Sequence, residues 1–256
     1  MSPADPTIYD SERLAACYAA DRPPVHAVIC ARLFAHRGAG ERSSRALDIG
    51  CGAGVSTRAL LPYATQVLGL DPQARMLRHA RTGVPAAAFV RGVARALPVA
   101  SGSCDIVTAA GSLNYTDVDE ALAEVARVLR DGGHFAAYDF STGRPLADPT
   151  TSADGDRGFE RAFPPLPGYA LDLGRLPCRE HGLTPLAHER FTVEIPMTLE
   201  AYLHYLLGET NVESAIVGGL AEGEVRRICR ELFGPTFGAG PRPVSFDAEF
   251  TLARKA

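Results

Sequence analysis

At 256 residues, 46% of them hydrophobic, the chain is long enough for one large domain with a sizeable core. Its net charge of −4 comes from interspersed acidic and basic residues, with no basic tract to neutralise a run of phosphates, so no nucleic-acid partner is expected. No apolar run approaches the roughly 20 residues that cross a bilayer. The opening Met-Ser-Pro-Ala-Asp-Pro has neither region of an export signal. The six cysteines are irregularly spaced with no CxxC pair, which fits a cytoplasmic protein without disulfides or a metal site.

In chain order, residues 10–20 and 24–37 read as helices, separated by Arg22-Pro23-Pro24, with Leu14, Val28, Ile29, Leu33 and Phe34 at helical spacing. Residues 45–49 read as a buried strand that breaks into Gly50-Cys51-Gly52-Ala53-Gly54, with a helix over 55–62. A second strand spans 66–70 and ends at Asp71-Pro72, followed by a helix over 73–82. Strands are expected at 86–90, 104–108 and 134–140, with an amphipathic helix over 117–130 before the last of these. This alternation specifies a parallel sheet with helices on both faces, and such sheets bind ligands beyond the carboxyl ends of their strands. Further on, 141–156 reads as a loop, 159–163 as a short helix, 164–167 as a turn and 171–181 as a helix. A strand over 188–195, helices over 198–208 and 222–233 and a strand over 244–252 complete the chain.

The glycine loop is the strongest chemical signal. Glycines let the backbone turn sharply and let a ligand approach where a Cβ would block it. Neither register completes the dinucleotide fingerprint, since Val55 or Thr57 stands where its third small residue belongs. A Gly-Lys-Ser/Thr phosphate loop is absent as well. Asp48, at the end of the first strand, suits a cofactor with a positive charge. Asp71 closes the second strand 17 residues after Gly54, placed to accept two ribose hydroxyls. A nucleoside with an ammonium group and no phosphate points to S-adenosylmethionine.

The motifs Leu47-Asp-Ile-Gly-Cys-Gly-Ala-Gly54, Gly69-Leu-Asp-Pro72 with Met76-Leu77, Ala94-Arg-Ala-Leu-Pro98, Ser103-Cys-Asp-Ile-Val107 and Ala126-Arg-Val-Leu-Arg-Asp-Gly-Gly133 follow in order. With them the chain resembles the class I S-adenosylmethionine-dependent methyltransferases, in the group of ubiquinone/menaquinone-type small-molecule enzymes. The resemblance implies a Rossmann-like, doubly wound α/β fold with a mostly parallel seven-stranded sheet whose last pair is antiparallel. It implies one domain over 1–256, with N-terminal lid helices in 1–40, a cofactor-binding core in 45–140 and a helical insertion in 196–240 that caps the substrate. The loop of Gly50, Cys51, Gly52 and Gly54 would cradle the methionine part, with Asp48 near its ammonium. Asp71 and Pro72 would meet the ribose, Met76 and Ala94 the adenosine, and Ala110 the same site from the fourth strand. Tyr18 and Arg22 would approach the carboxylate. Cys51 implies no thiol chemistry.

The chain departs from the pattern at Gly92-Val93-Ala94, where many relatives carry Gly-Asp-Ala and the Asp accepts from the adenine amino group. Loss of one such bond costs on the order of 1 kcal/mol, and Val93 is left to pack on the purine face. Asn114 and Tyr115 either face the transferred methyl or cap the next helix. His26 on the lid and His204 and Tyr205 on the insertion are pocket candidates, balanced against an ordinary packing role. No residue stands out as a general base. The implied reaction is methyl transfer to a small acceptor, leaving S-adenosylhomocysteine. The alternatives are a protein that binds the cofactor for cyclase or isomerase chemistry, and a degenerate binding module.

Overall fold

The computed structural model describes residues 6–37, 42–146, 149–166 and 171–256. Of the stretches read above, residues 1–5, 38–40, 147–148 and Pro167 lie outside them.

Five parallel strands form the centre: β1 (Ser43–Ile49), β2 (Ala64–Asp71), β3 (Ala88–Arg91), β4 (Cys104–Ala110) and β5 (Leu129–Phe140). A two-residue strand β6 (Arg144–Pro145) and the long β7 (Leu183–Met197) and β8 (Arg242–Lys255) complete a sheet ordered β3-β2-β1-β4-β5-β8-β6, with β7 also paired to β8. Pairings of β8 with β5, β6 and β7 are all antiparallel. The expected seven strands and antiparallel last pair are present, and β6 is an addition that prolongs the β5 side of β8. Seven residues in β1 suffice because the strand is buried on both faces from Ala46 onward.

Helices α1 (Glu12–Asp21) and α2 (Val25–His36) precede β1, and α3 (Val55–Leu60), α4 (Ala74–Gly83) and α5 (Val118–Val128) are the crossovers. Ser11 caps α1, its Oγ accepting from Leu14 N at 3.2 Å, and Pro23-Pro24 sets the boundary with α2. Asp117 caps α5 in the same way. The core lies in two layers. Ala46, Val67 and Ile106 face α2 and α3 together with the later helices, whereas Leu47, Val107 and Phe135 face α5.

The second half departs most from expectation. Instead of a loop running to 156, α6 (Pro149–Ala162) starts within it and absorbs the short helix expected at 159–163. Its glycines are packing positions: a Cβ on Gly158 would lie 2.3 Å from Leu232, and one on Gly155 3.1 Å from Phe233. Both contacts are with α9 (Glu222–Phe237), which extends past its expected end. The helix expected at 171–181 is two short 3₁₀ turns, Leu173–Arg175 and Cys178–His181, divided at Pro177. Helix α7 (Leu199–Leu207) agrees with expectation, and α8 (Thr210–Val217) is an extra element after it. No helix among the described residues is long and apolar enough to cross a membrane.

Candidate functional site

A cavity of about 760 Å³ opens beyond the carboxyl ends of β1, β2, β4 and β5 and is bounded by α1, the start of α2, the end of α7 and the start of α8. Its position is the one at which open α/β sheets bind ligands.

The glycine loop forms its floor. Gly50, Gly52 and Gly54 have φ of +69°, +51° and +88°, which L side chains rarely adopt. Gly50 N and Cys51 N both donate to Leu70 O, tying the loop to β2. A Cβ on Gly50 would stand 2.3 Å from Ser112 Cβ, so Gly50 allows the loop to pass the segment after β4. Gly52 lines the cavity and has nothing within 4 Å of where a Cβ would stand. It therefore leaves open a cradle at the floor. Its N–H donates to Asp71 Oδ2 at 2.9 Å, while Asp71 Oδ1 accepts from Gln73 N at 2.8 Å. Asp71 lines the cavity with lone pairs to spare, and burial raises its carboxyl above the usual range.

Of the residues singled out in the sequence, Tyr18, Arg22, His26, Gly50, Gly52, Asp71, Pro72, Met76, Val93, Ala94, Ala110, Tyr115 and Tyr205 share this lining. Five others lie outside it, and for Asp48 that is a correction. Asp48 is fully buried beneath the loop. Its Oδ2 accepts from Ser56 Oγ at 2.6 Å and Thr57 Oγ1 at 2.7 Å, and its Oδ1 from Thr108 Oγ1 at 3.0 Å. Its carboxylate thus braces the turn into α3 instead of meeting a cofactor's charge, and burial pushes it up to about 6. Cys51 points away from the cavity toward β2, where a Cβ on Gly69 would lie 2.8 Å from its Sγ. Gly54 packs on α4, a Cβ there lying 3.1 Å from Ala80 Cβ. Asn114 stands behind the lining, its Nδ2 donating to Asp139 Oδ2 at 3.3 Å. His204 is on the half-exposed outer face of α7, 3.5 Å from Asp21.

Arg22 lines the cavity and is also tied to the elements around it. It lies over the Tyr18 ring at 4.0 Å, and its guanidinium donates to Glu209 Oε1 at 2.6 Å and Gly208 O at 3.1 Å, with its buried Nε left without a partner among the described residues. The same Glu209 accepts from Thr142 Oγ1 at 2.9 Å. His26 Nδ1 shares a hydrogen bond with Tyr138 OH at 3.0 Å, and burial with the nearby Arg22 charge pulls the imidazole down to about 3, so it is neutral near pH 7. Tyr205 OH accepts from Gly143 N at 2.9 Å, and Tyr115 OH pairs with Tyr9 OH at 2.9 Å.

The sequence reading missed Asp139, Glu209, Asp247 and Glu249, which also line the cavity. Asp139 was within reach of the rule that selected Asp71, because it too stands at the carboxyl end of a parallel strand. Its Oδ1 accepts from Phe140 N at 2.8 Å, and burial pushes it up to about 6. No cluster of potential metal ligands occurs among the described residues.

Fold and cavity together define an α/β protein with a ligand-sized cavity at the carboxyl ends of its parallel strands. Residues 47–137 match the family profile described as a methyltransferase domain. An uncharacterised methyltransferase of Bacillus subtilis, YcgJ, is 38% identical over 101 residues, which are 37% of this chain and 40% of that protein. A demethylmenaquinone methyltransferase of Beutenbergia cavernae is 36% identical over 99 residues, 38% of this chain and 41% of that one. The matched segment thus spans about two-fifths of these relatives' own length. Among solved structures, a protein proposed to be a type II methyltransferase from Anaeromyxobacter dehalogenans superposes with a TM-score of 0.68 at 25% identity, covering 89% of this chain and 95% of that one. Over residues 47–137 the chain thus carries a methyltransferase domain, and its fold resembles that of the Anaeromyxobacter protein along most of its length.

Proposed function

We propose that this chain transfers a methyl group from S-adenosylmethionine to a small acceptor bound in the cavity. The observation that carries the reading is the open cradle at Gly52, whose N–H is bonded to the cavity-lining carboxylate of Asp71. These residues fit the cofactor. The glycine loop at Gly50 and Gly52 would hold the methionine part, and Asp71 has lone pairs free for ribose hydroxyls. Met76, Pro72, Val93, Ala94 and Ala110 supply an apolar wall for the nucleoside, and Tyr18 closes the cavity from α1. When bound, the cofactor supplies a methyl carbon on a sulfonium, with S-adenosylhomocysteine as the leaving product.

The protein's part is to align the acceptor with that carbon and to keep water out, chiefly a proximity effect. The residues that cover the cavity from α1, α7 and α8 are placed for this, with Arg22 and Glu209 joining the first to the other two. The demethylmenaquinone enzyme among the relatives is named for a small-molecule acceptor, which supports the same class here. Isothermal titration with S-adenosylmethionine tests the reading. Binding with displacement by S-adenosylhomocysteine is expected, and no binding at millimolar cofactor would sink it.

A further inference from the structure

Resting on that reading, we infer that the acceptor is an amine, bound as its ammonium, and that Asp139 takes its proton. Asp139 lines the cavity at the end of β5 and makes no ion pair among the described residues. Its two oxygens each accept one hydrogen bond, from Phe140 N and Asn114 Nδ2, which leaves each a lone pair for a ligand. Asn114 thereby acts as a positioning residue.

The charges around Asp139 decide the substrate class. Glu249 stands opposite it in the β5–β8 register, and Asp247 precedes Glu249 by two residues on the same strand. Glu249 is occupied by Arg190 and by Leu173 N, and the charge of Arg22, the cation of this end of the cavity, is balanced by Glu209. His26 is neutral. A carboxylate or phosphate ligand would meet like charge here, whereas an ammonium meets an unpaired carboxylate.

The proton step balances within the site. An ammonium N–H bond breaks, its electron pair stays on nitrogen, and the proton forms an O–H bond on Asp139. The neutral amine then holds the lone pair that a new C–N bond requires, and the proton leaves to solvent through the cavity mouth. A carboxyl held up to about 6 by burial is closer to neutral pH than an ordinary one and is a better acceptor for that proton.

The experiment begins with S-adenosylhomocysteine titrated calorimetrically into the wild-type protein and into Asp139→Asn. Benzylamine, benzyl alcohol and benzoate, which share one framework, are then titrated into each product-saturated protein. Wild type is expected to bind benzylamine about tenfold tighter than either of the others, from a hydrogen bond to a charged partner. Asp139→Asn should lose that preference. If the product binds but the alcohol or benzoate equals or exceeds benzylamine, or if the variant keeps the preference, the amine inference fails and the cofactor reading stands. If the product does not bind, the cofactor reading fails and takes this inference with it. The wild-type ranking requires no variant, so it decides the matter even if Asp139→Asn does not fold.

Discussion

The N–H of Gly52 donates to the carboxylate of Asp71 at 2.9 Å, so the residue that closes β2 is bonded to the loop that closes β1. The side chain proposed to meet the ribose therefore also fixes the backbone that would hold the methionine part. Asp71→Ala should do two things at once. It leaves the N–H groups of Gly52 and Gln73 without their acceptor, costing on the order of 2 kcal/mol of stability. It should also weaken S-adenosylmethionine binding by about tenfold or more. Asp71→Asn keeps an acceptor and should recover part of the stability. Unchanged affinity in a folded Asp71→Ala protein would remove Asp71 from the cofactor site and favour a binding module that has lost its ligand.

Gly50 and Gly52 both have positive φ but fail differently when given a side chain. Alanine at either costs roughly 1–2 kcal/mol of backbone strain. At Gly50 the new Cβ also meets Ser112 Cβ at 2.3 Å, whereas at Gly52 it meets open cavity. Gly50→Ala should therefore lower the melting temperature more than Gly52→Ala. For cofactor affinity measured on the folded fraction the order should reverse, since only the Gly52 methyl enters the cradle. Thermal denaturation with and without S-adenosylhomocysteine separates the two effects, and equal ligand-induced stabilisation of both variants would contradict the assignment of the cradle.

The sequence disclosed the strands, crossovers and glycine loop because each has a local cause: periodicity, capping and positive φ. It misled where a residue's role depends on a distant partner. Asp48 looked like a counter-charge, but three hydroxyls from two separate elements, Ser56 and Thr57 on α3 and Thr108 on β4, claim its carboxylate. Gly155 reads as part of a loop because the α9 surface it accommodates lies more than seventy residues away in sequence. Arg22 was legible as a cavity residue, but its partner Glu209 was not, since nothing near either residue announces the pairing.

That pair makes the third prediction. Arg22 and Glu209 are about nine-tenths buried, with side-chain exposures of 10% and 12%. Removing one partner of a buried pair strands the other, at a typical cost of about 3–5 kcal/mol. Arg22→Ala should accordingly destabilise strongly, since it also gives up the Tyr18 and Tyr205 ring contacts. Glu209→Gln retains an acceptor for Thr142 and should cost less. The double variant should be more stable than the sum of the single effects implies, because neither charge is left stranded. Chemical denaturation of the three variants measures the coupling, and strict additivity would mean that the two ends of the cover are not energetically joined here.

Asp139 supplies a pH-dependent test that the other carboxylates leave undisturbed, because it compares one variant with wild type. Burial, with Glu249 adding to it, lifts its folded carboxyl from an ordinary 3.8 to about 6, opposed by the bonds from Phe140 N and Asn114 and by the Arg22 charge. Between those values the folded protein holds a proton that the unfolded chain has lost. Stability from this group must therefore fall as pH rises through the window from about 4 to about 6, and stay low above it. Asp139→Asn cannot titrate and escapes that loss. Whatever its stability relative to wild type at pH 4, the variant should gain on wild type up to about pH 6, by on the order of 2 kcal/mol, and gain nothing further by pH 8. Urea denaturation of both proteins at several pH values gives the difference directly. A variant that instead loses ground as pH rises would show that Asp139 is stabilised as a carboxylate by a cation now paired elsewhere, with Arg22 on Glu209 and Arg190 on Glu249 as the candidates.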